Sequence, residues 1–300
     1  GLGDVYKRQG SAGASSSGTG GGLSSALCES ATPPSSGMIL WLRAGQGLVM
    51  QAERVVEWAN AAGGEAAKKQ DPRHAPRVVE NALQGKPALR FEPSDGGEVE
   101  TLEHTLDIHQ HSGNTAFVVS ASPELVRPGV EWCKRDEEVG CSATYNPVIY
   151  SHGLADWQGF LLSPRQEVVG YRYGSEEKEY CFDTLGEPDP CVMFYREGSV
   201  GGAFSLTSLR FDAGHIDLYV AGRKVYERKA LSERILHQGT LLEIGGTNRW
   251  RSDAPSLVAE VLLYDRALND AELQAAHVYF GCMFFPHRSK YRVEGSSRGT

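Results

Sequence analysis

The chain has 300 residues, of which 40% are hydrophobic, and this is enough for one large folded domain or two small ones. Its net charge of −8 argues against a nucleic-acid partner, because a surface that binds phosphates needs a basic field. No run of about 18 apolar residues occurs, so the sequence contains no candidate transmembrane helix.

The first 29 residues are not expected to join the fold. Residues 1–9, GLGDVYKRQ, look like a non-native start, and residues 10–22, GSAGASSSGTGGG, contain no apolar side chain larger than alanine. A segment of this composition cannot bury a core and behaves as a flexible linker. Such linkers follow an export signal or an anchor, or join domains, so we expect an anchor or a further domain upstream. Leu27, directly before Cys28, argues against a lipidated cysteine.

From Met38 onward, short apolar or alternating runs follow one another with turn residues between them. Runs such as MILWLRAG, KPALRFEP, NTAFVVSASP and FSLTSLRFDAG predict about a dozen strands. In HIDLYVAGRKVYE, residues 215–227, the Ala-Gly-Arg corner predicts a hairpin. Many short strands separated by turns indicate an all-β sandwich or barrel.

A single helix is predicted at NDAELQAAHVYFG, residues 269–281. Asn269 is a good N-cap, two acidic residues lie in the first turn, and Gly281 is expected to end the helix. The strand before it, Val258 to Tyr264, is expected to alternate between the two faces of a sheet. Leu268 is expected to pack under the helix start as a hydrophobic staple.

Six cysteines are present and none forms a C-x-x-C pair, which argues against a zinc ribbon and a thioredoxin-like site. The even number, with two close pairs flanking polar loops, favours disulfides and an oxidising compartment. Several connectivities are open. The pairs we expect are Cys133–Cys141, Cys181–Cys191 and Cys28–Cys282. The alternative is six buried free thiols in a cytosolic protein.

Several segments resemble the bacterial laminin-G-like, concanavalin A-like lectin/glucanase domains: LWLRAGQGL, VVEWANAAG, HIDLYVAGRKV, LLEIGGTN and AEVLLYDRALNDAEL. The resemblance covers residues 38–281. It implies a jelly-roll β-sandwich of two curved antiparallel sheets with one short C-terminal helix, here expected over residues 30–285 and followed by a polar tail, 286–300. It also implies carbohydrate or cell-surface recognition outside the cytoplasm, although the fold does not specify one ligand.

Aromatic side chains beside hydrogen-bonding groups are the candidate carbohydrate contacts, because the apolar faces of pyranose rings stack on Trp and Tyr. The candidate ligand-binding residues are Trp250, Arg249, Arg251, Trp157, Tyr171 and Tyr173. The alternative is that the two tyrosines belong to the core and that the tryptophan of TNRWRSD anchors its loop.

Some members of the wider superfamily are glucanases, whose retaining mechanism needs two carboxylates about 5 Å apart. The nearest string here is EVETLE, with Glu98, Glu100 and Glu103. Glu98 and Glu100 would share a strand face, but a glutamate stands where the family pattern has aspartate. We interpret this string as an exposed edge strand with solvated acids, and we predict no catalytic residue and no enzymatic activity.

Metal binding is considered at two places. His104, His109 and His111 lie close together in a segment that reads as a loop, without the His-Glu-x-x-His spacing of a zinc site. Related domains carry calcium at the rim, held by aspartates and carbonyl oxygens. The candidate Ca²⁺ ligands are Asp156, Asp212 and Asp253, although the aspartate of the family's Val-Asp-Gly hairpin is absent.

Together, these features predict a non-catalytic binding module that is extracellular, periplasmic or at the cell surface and recognises a glycan or a cell-surface partner. One alternative is a glycan hydrolase or lyase of the same fold, which needs two acids facing each other in a groove. Another is a structural adhesion module that binds protein, which needs an extended apolar patch.

Overall fold

The computed structural model describes residues 25–92, 99–106, 111–121, 204–229, 241–246 and 255–286, together with the backbone of four strands between residues 149 and 194. The helices are α1 (Ser25–Glu29) and α2 (Asp270–Phe284), and a 3-10 turn covers Pro72–His74. The strands in chain order are β1 (Met38–Arg43), β2 (Leu48–Gln51), β3 (Arg54–Trp58), β4 (Ala67–Lys68), β5 (Arg77–Leu83), β6 (Lys86–Phe91), β7 (Leu102–Thr105), β8 (Gly113–Ala121), β9 (Ile149–His152), β10 (Gly159–Leu162), β11 (Val169–Arg172), β12 (Cys191–Phe194), β13 (Ser205–Asp212), β14 (His215–Val220), β15 (Arg223–Lys229), β16 (Leu241–Ile244) and β17 (Ser256–Tyr264).

The strands form two antiparallel sheets, as predicted. Sheet A has the order β15-β14-β13-β8-β17-β6-β5, and sheet B has the order β12-β11-β10-β9-β16-β7-β4-β3-β2. Strand β17 has two neighbours on one side: β6 pairs with its first three residues and β1 with its second half. A register shift against β8 between Val258 and Glu260 marks the change from one neighbour to the other.

The hairpin predicted at Ala221–Gly222 is present between β14 and β15. Both residues have positive φ, +50° and +75°, which is the backbone of a type I′ turn and matches the twist of the flanking strands. Alanine occupies a position that asparagine, aspartate or glycine usually takes, so the pairing of the two strands must hold this turn in place.

The space between the sheets contains the main apolar core. Leu42 and Phe211 from sheet A meet Trp58, Leu102 and Leu242 from sheet B, and each of these residues is fully buried. Because side chains alternate along a strand, the residues between these core positions lie on the outer faces of the sheets.

The outer face of sheet A is covered by α2, which forms a second apolar layer. Phe280 of α2 stacks on Phe117 of β8 with ring centroids 5.5 Å apart, and both rings are fully buried. All nine residues of β8 and eight of the nine in β17 are therefore buried. The expectation that Val258–Tyr264 alternates between the two faces of the sheet is confirmed, since one set of its side chains lies in the core between the sheets and the other lies under α2.

Helix α2 begins as predicted and ends later than predicted. Asn269 caps it with a capping box, and the buried Leu268 and Leu273 lie in the same apolar layer, as a hydrophobic staple requires. The helix continues past Gly281 to Phe284. A glycine costs about 1 kcal/mol inside a helix, and the burial of Phe284 and of the segment around Gly281 outweighs that cost.

A disulfide joins Cys28 of α1 to Cys282 of α2 and confirms one predicted pair. Helix α1 was not predicted and lies in the segment expected to be linker. Cys133, Cys141 and Cys181 lie outside the described residues, and only the backbone of Cys191 is described, so the other two pairs stay predictions. Neither described helix is long and apolar enough to cross a membrane.

Candidate functional site

The sandwich has two ends, which are defined by the strand register. In sheet A, the first residue of β17, Ser256, pairs with Phe91 at the end of β6. In sheet B, Ile244 at the end of β16 pairs with the first residues of β7 and β9. We call this the Ile244 end. The opposite end, where β17 finishes beside the start of β8, is called the Tyr264 end.

The strand order assigns the predicted ligand-binding residues to different ends. The chain between β16 and β17, which contains Arg249, Trp250 and Arg251, leaves and returns at the Ile244 end. The connections that contain Trp157 and Tyr173 join strands at the Tyr264 end. These five residues lie outside the described part of the chain, so only their flanking strands are located.

Tyr171 is the sixth predicted ligand-binding residue and lies within β11. Its backbone pairs with Phe160 of β10 and Val192 of β12. Only the backbone is described there, so its role stays a prediction.

Two consecutive glycines fix the path of the chain as it leaves β16. Gly245 has φ +91°, and a Cβ at this position would overlap the ring of Phe91. A Cβ on Gly246 would overlap the side chain of Val99. Only glycine therefore allows β16 to lie this close to β6 and to the chain before β7.

Two buried hydroxyl groups hold the carbonyls around these glycines. Ser256 Oγ donates to the carbonyl of Gly245 at 2.9 Å, which joins the two ends of the 247–254 segment. Thr101 Oγ1 lies 3.1 Å from the carbonyl of Ile244 and 3.3 Å from that of Gly246. The segment that contains Trp250 thus starts and finishes on a fixed base.

A largely buried ion pair lies at the same end. The Arg54 guanidinium bonds the Glu100 carboxylate and donates to the Ala75 carbonyl at 2.7 Å. The second oxygen of Glu100 accepts the backbone N–H of Glu92 at 2.9 Å. Both oxygens of Glu100 are thus engaged in holding the chain on either side of residues 93–98.

The interpretation of EVETLE as an exposed edge strand with solvated acids is wrong. Glu100 is buried, with 7% of its surface exposed. Strand β7 begins at Leu102 and lies inside sheet B between β16 and β4. Glu98 lies outside the described residues. The sequence suggested solvation because the cation that pairs with Glu100 is 46 residues earlier in the chain.

The outer face of sheet B carries a line of charged residues, one per strand, that we call the charged row: Glu57, Lys68, Glu103 and Glu243. They are register partners from β3 through β4 and β7 to β16. The side chains of Lys68 and Glu103 are 61% and 39% exposed, whereas Glu243 is buried. Exposure therefore decreases from β4 through β7 to β16.

Lysines neutralise part of the charged row. Lys69 Nζ lies 3.1 Å from Glu103 Oε1, and Lys68 Nζ lies 3.3 Å from Glu57 Oε2. The pairing of Glu103 with Glu243 was not predicted. The alternation of Leu-Leu-Glu-Ile places Glu243 on the face opposite Leu242 and Ile244, but the sequence gives no register that would bring Glu103 beside it.

Acidic residues on the outer face of sheet A lie under α2 and stabilise the fold. Glu260 Oε1 accepts hydrogen bonds from Trp41 Nε1 at 2.6 Å and from the Tyr279 hydroxyl at 2.9 Å. Burial raises the pKa of Glu260 and also that of Tyr279. His277 lies under the same helix, and burial lowers its pKa to about 4. A helix that covers these groups leaves them no access to a ligand.

Only some of the predicted metal ligands lie in the part of the chain that the structure describes. Asp212 is exposed at the end of β13, at the Tyr264 end, and Asp156 and Asp253 lie outside the described residues. His104 is buried within β7 rather than in a loop, and His111 Nδ1 lies 2.7 Å from the Asp265 carbonyl oxygen. His109 also lies outside the described residues. Within the part of the chain that the structure describes, no three His, Cys, Asp or Glu side chains are grouped to hold a metal ion.

No family model matches the chain, and no curated protein matches it in sequence. Solved structures do match its fold. Trypanosoma rangeli sialidase in complex with sialic acid has a TM-score of 0.53 at 14% identity, over 85% of this chain and 34% of that one. The binding domain of Paraclostridial Mosquitocidal Protein 1 has a TM-score of 0.50 at 10% identity, over 81% and 52%.

The binding domain of Botulinum neurotoxin DC, in complex with rat synaptotagmin II, has a TM-score of 0.50 at 8% identity, over 81% of this chain and 51% of that one. The chain thus spans between a third and about half of these structures. At such identities the likeness shows the fold alone, and this fold is the predicted β-sandwich of two antiparallel sheets.

Proposed function

We propose that the chain is a non-catalytic binding module of an exported or surface protein, and that it recognises a glycan, free or on a cell-surface partner, at the Ile244 end. The observation that carries this proposal is the fixed base of the 247–254 segment, made by Gly245, Gly246 and the hydroxyls of Ser256 and Thr101. A loop on a rigid base loses less conformational entropy when it binds, so its contacts contribute more to affinity.

The chemistry of the segment favours a glycan. Trp250 supplies an apolar face for a sugar ring, and Arg249 and Arg251 supply donors for its hydroxyl or carboxylate oxygens. Among the described residues the exposed large hydrophobic side chains are Leu27, Val49 and Met50, so the described surface carries no extended apolar patch. Asp253 is the calcium candidate in the same segment.

Two further observations support this proposal. The structures of similar fold include a sialidase in complex with sialic acid and two binding domains, one of them in complex with rat synaptotagmin II. The Cys28–Cys282 disulfide favours an oxidising compartment, and so an exported protein. The alternative location for the site is the Tyr264 end, with Trp157, Tyr171, Tyr173, Asp156 and Asp212 as its candidate residues.

A glycan-array screen of the full chain, with and without a calcium chelator, tests the proposal. We expect binding to at least one glycan and its loss in Trp250→Ala. Trp157→Ala is the matched control, because its segment joins strands at the opposite end, and it should retain binding. Loss in Trp157→Ala alone would move the site to the Tyr264 end. An array without any binding would contradict glycan recognition and favour a protein ligand.

One observation favours a glycan hydrolase as the second candidate. Glu103 and Glu243 are direct cross-strand partners, with Cβ atoms expected about 5 Å apart, and retaining glycosidases hold two carboxyl groups about 5 Å apart. The ion pair of Glu103 with Lys69 argues for a structural role. Hydrolysis of a bound glycan by the wild type, lost in both Glu103→Gln and Glu243→Gln with the fold intact, would establish the enzyme. Bound glycan recovered uncleaved would exclude it.

A further inference from the structure

Among the described residues, two buried polar atoms on the inner face of sheet B have no hydrogen-bond partner: Trp58 Nε1 and His104 Nδ1. Trp58 is fully buried and His104 is 7% exposed. A buried donor or acceptor without a partner costs on the order of 1–3 kcal/mol, and native proteins rarely leave one unsatisfied. Each of these atoms therefore requires an explanation.

The strand register places these two residues on either side of a small one. Trp58 of β3 pairs with Ala67 of β4, and because Lys68 pairs with Glu103, Ala67 lies opposite His104 of β7. All three are on the core side: Trp58 and Ala67 belong to the core, and His104 shares its face with Leu102. Ala67, the residue between the indole and the imidazole on this face, has the short side chain of alanine.

An irregularity in β3 turns Trp58 inward. Val49 and Met50 of β2 pair with Glu57 and Val55, so Val56 is an extra residue on β3. Because of this bulge, Val55 and Trp58 both point to the core although three positions separate them. The sequence alone therefore does not predict the side on which Trp58 lies.

The two atoms have complementary roles. A hydrogen bond with the backbone of Ala66 favours the protonated form of His104, and because Nδ1 has no partner we assign this bond to Nε2. In the neutral ring, Nε2 then carries the proton and Nδ1 is an acceptor. The indole nitrogen of Trp58 is a donor only. One donor and one acceptor thus lie on either side of Ala67.

We propose that a single internal water binds between these residues, accepting from Trp58 Nε1–H and donating to His104 Nδ1. The backbones of two strands with one strand between them are about 10 Å apart. A water bridge spans about 6 Å between its two outer atoms, and a direct hydrogen bond spans about 3 Å. The water bridge is therefore the arrangement that the two side chains reach more easily. Buried waters in proteins typically satisfy such pairs with two or more hydrogen bonds.

This water would join β3 to β7 across β4, the two-residue strand between them. Strand β4 contributes only Ala67 and Lys68 to sheet B, so the ladder is short at this point. The bridge would also keep His104 in its neutral form with the proton on Nε2. Both consequences follow from the positions of Trp58 and His104 and are independent of the proposed glycan site.

NMR of the full-length wild-type protein tests the proposal directly. We expect a long-lived water cross-peak at the indole proton of Trp58 and ¹⁵N shifts of His104 that identify Nδ1 as an acceptor. Trp41 is the control, because its indole N–H donates to Glu260 and should show no long-lived water. A direct coupling between Trp58 Nε1 and His104 Nδ1, or no bound water at Trp58, would overturn the proposal.

A double-mutant cycle with Trp58→Phe and His104→Leu provides a second measurement. If one water connects the two groups, either substitution leaves the other group unsatisfied, and the double variant loses less stability than the sum of the single variants. We expect the coupling to change the unfolding equilibrium constant at least fivefold. Additive effects would contradict a shared water, and the cavity that each substitution creates is largely cancelled in the cycle.

Discussion

The outer faces of the two sheets use their polar side chains in different ways. On sheet A, α2 excludes water, and the buried Glu260, His277 and Asp217 each have a hydrogen-bond partner. On sheet B, Lys68 and Glu103 of the charged row are partly exposed and form ion pairs at the surface. A polar group needs a protein partner where water is excluded, and water serves this purpose where the face is open.

This difference decides which parts of the molecule are available for recognition. The outer face of sheet A is used to attach α2, and its polar groups stabilise that attachment. Lys68 and Glu103 of the charged row are partly exposed to solvent, and the Ile244 end carries the segment of the proposed site. Substitutions on sheet A should therefore change stability, and those on sheet B and the 247–254 segment should change binding.

The largest expected effect comes from removing the ring at the centre of the covered face. Phe280→Ala removes a fully buried side chain that stacks on Phe117, and we expect a loss of about 3–5 kcal/mol in the free energy of unfolding. Met50→Ala, at a side chain 47% exposed on sheet B, should change it by less than about 0.5 kcal/mol. Urea denaturation measures both. Equal losses would contradict the contrast between the two faces.

Acid should loosen the covered face through His277. Its pKa is about 4 in the folded protein because it is buried, and about 6.5 when unfolded. As the pH falls from 7 to 4, the unfolded state binds a proton that the folded state does not, so stability decreases by about 3 kcal/mol.

Comparing the wild type with His277→Gln in urea at pH 7, 5 and 4 isolates this effect, because the variant retains the other titrating groups. The raised pKa of Glu260 acts in the opposite direction and is present in both proteins. A pH dependence that is the same in the two proteins would show that His277 does not carry the expected loss.

Local patterns in the sequence predicted much of the fold. The β-branched and aromatic runs predicted strands such as β8 and β17, and Asn269 with the acids after it predicted the start of α2. The covered side of β17 could not be predicted, because its burial depends on a helix that packs from later in the chain. The two-residue β4 has no apolar periodicity of its own and is defined only by its neighbours.

For the candidate site, the sequence suggested side chains but not the base that holds their segment. The side chains of TNRWRSD suggested a glycan contact, but nothing local shows that Gly245 and Gly246 are required by Phe91 and Val99, which are distant in sequence. In the same way, the burial of Glu100 depends on Arg54, and the pairing of Glu103 with Glu243 depends on strand register. These features come from contacts between distant segments, which a single sequence does not specify.

Two ion pairs, one on each sheet, provide a matched comparison of the two outer faces, with expected losses of stability of intermediate size. On sheet A, the Arg210 guanidinium donates to the Asp217 carboxylate at 2.7 Å. Burial by itself would raise the pKa of Asp217, but hydrogen bonds from Arg210 and Lys224 lower it. Arg210→Met leaves the buried carboxylate with Lys224 and the Tyr219 hydroxyl, so we expect a loss of about 2 kcal/mol. Lys68→Met breaks the exposed pair with Glu57 and should cost less than about 0.5 kcal/mol.

Thermal and urea unfolding of both variants, at low and at high salt, checks this comparison. High salt should remove a larger fraction of the stability loss caused by Lys68→Met than of the loss caused by Arg210→Met, because salt screens exposed ion pairs much more than buried ones. A larger loss in Lys68→Met than in Arg210→Met would show that the charged row stabilises the fold, and it would weaken the case that this face is free for a ligand.

The smallest expected effect concerns the first turn of the covering helix. Asn269 accepts the N–H of Glu272 at 3.0 Å, and the Glu272 carboxylate accepts the N–H of Asn269 in return. Asn269→Ala removes the first bond, so we expect a loss of about 1 kcal/mol, whereas Asn269→Asp should retain the stability because it keeps the acceptor. Since α2 is also held by Phe280 and by the disulfide to α1, the fold should persist in both variants, and hydrogen exchange should increase in the first turn of α2 of Asn269→Ala alone. If exchange instead increased along the whole helix, α2 would depend on its cap more than on its packing, and the covered face would be less firmly closed than its buried polar groups indicate.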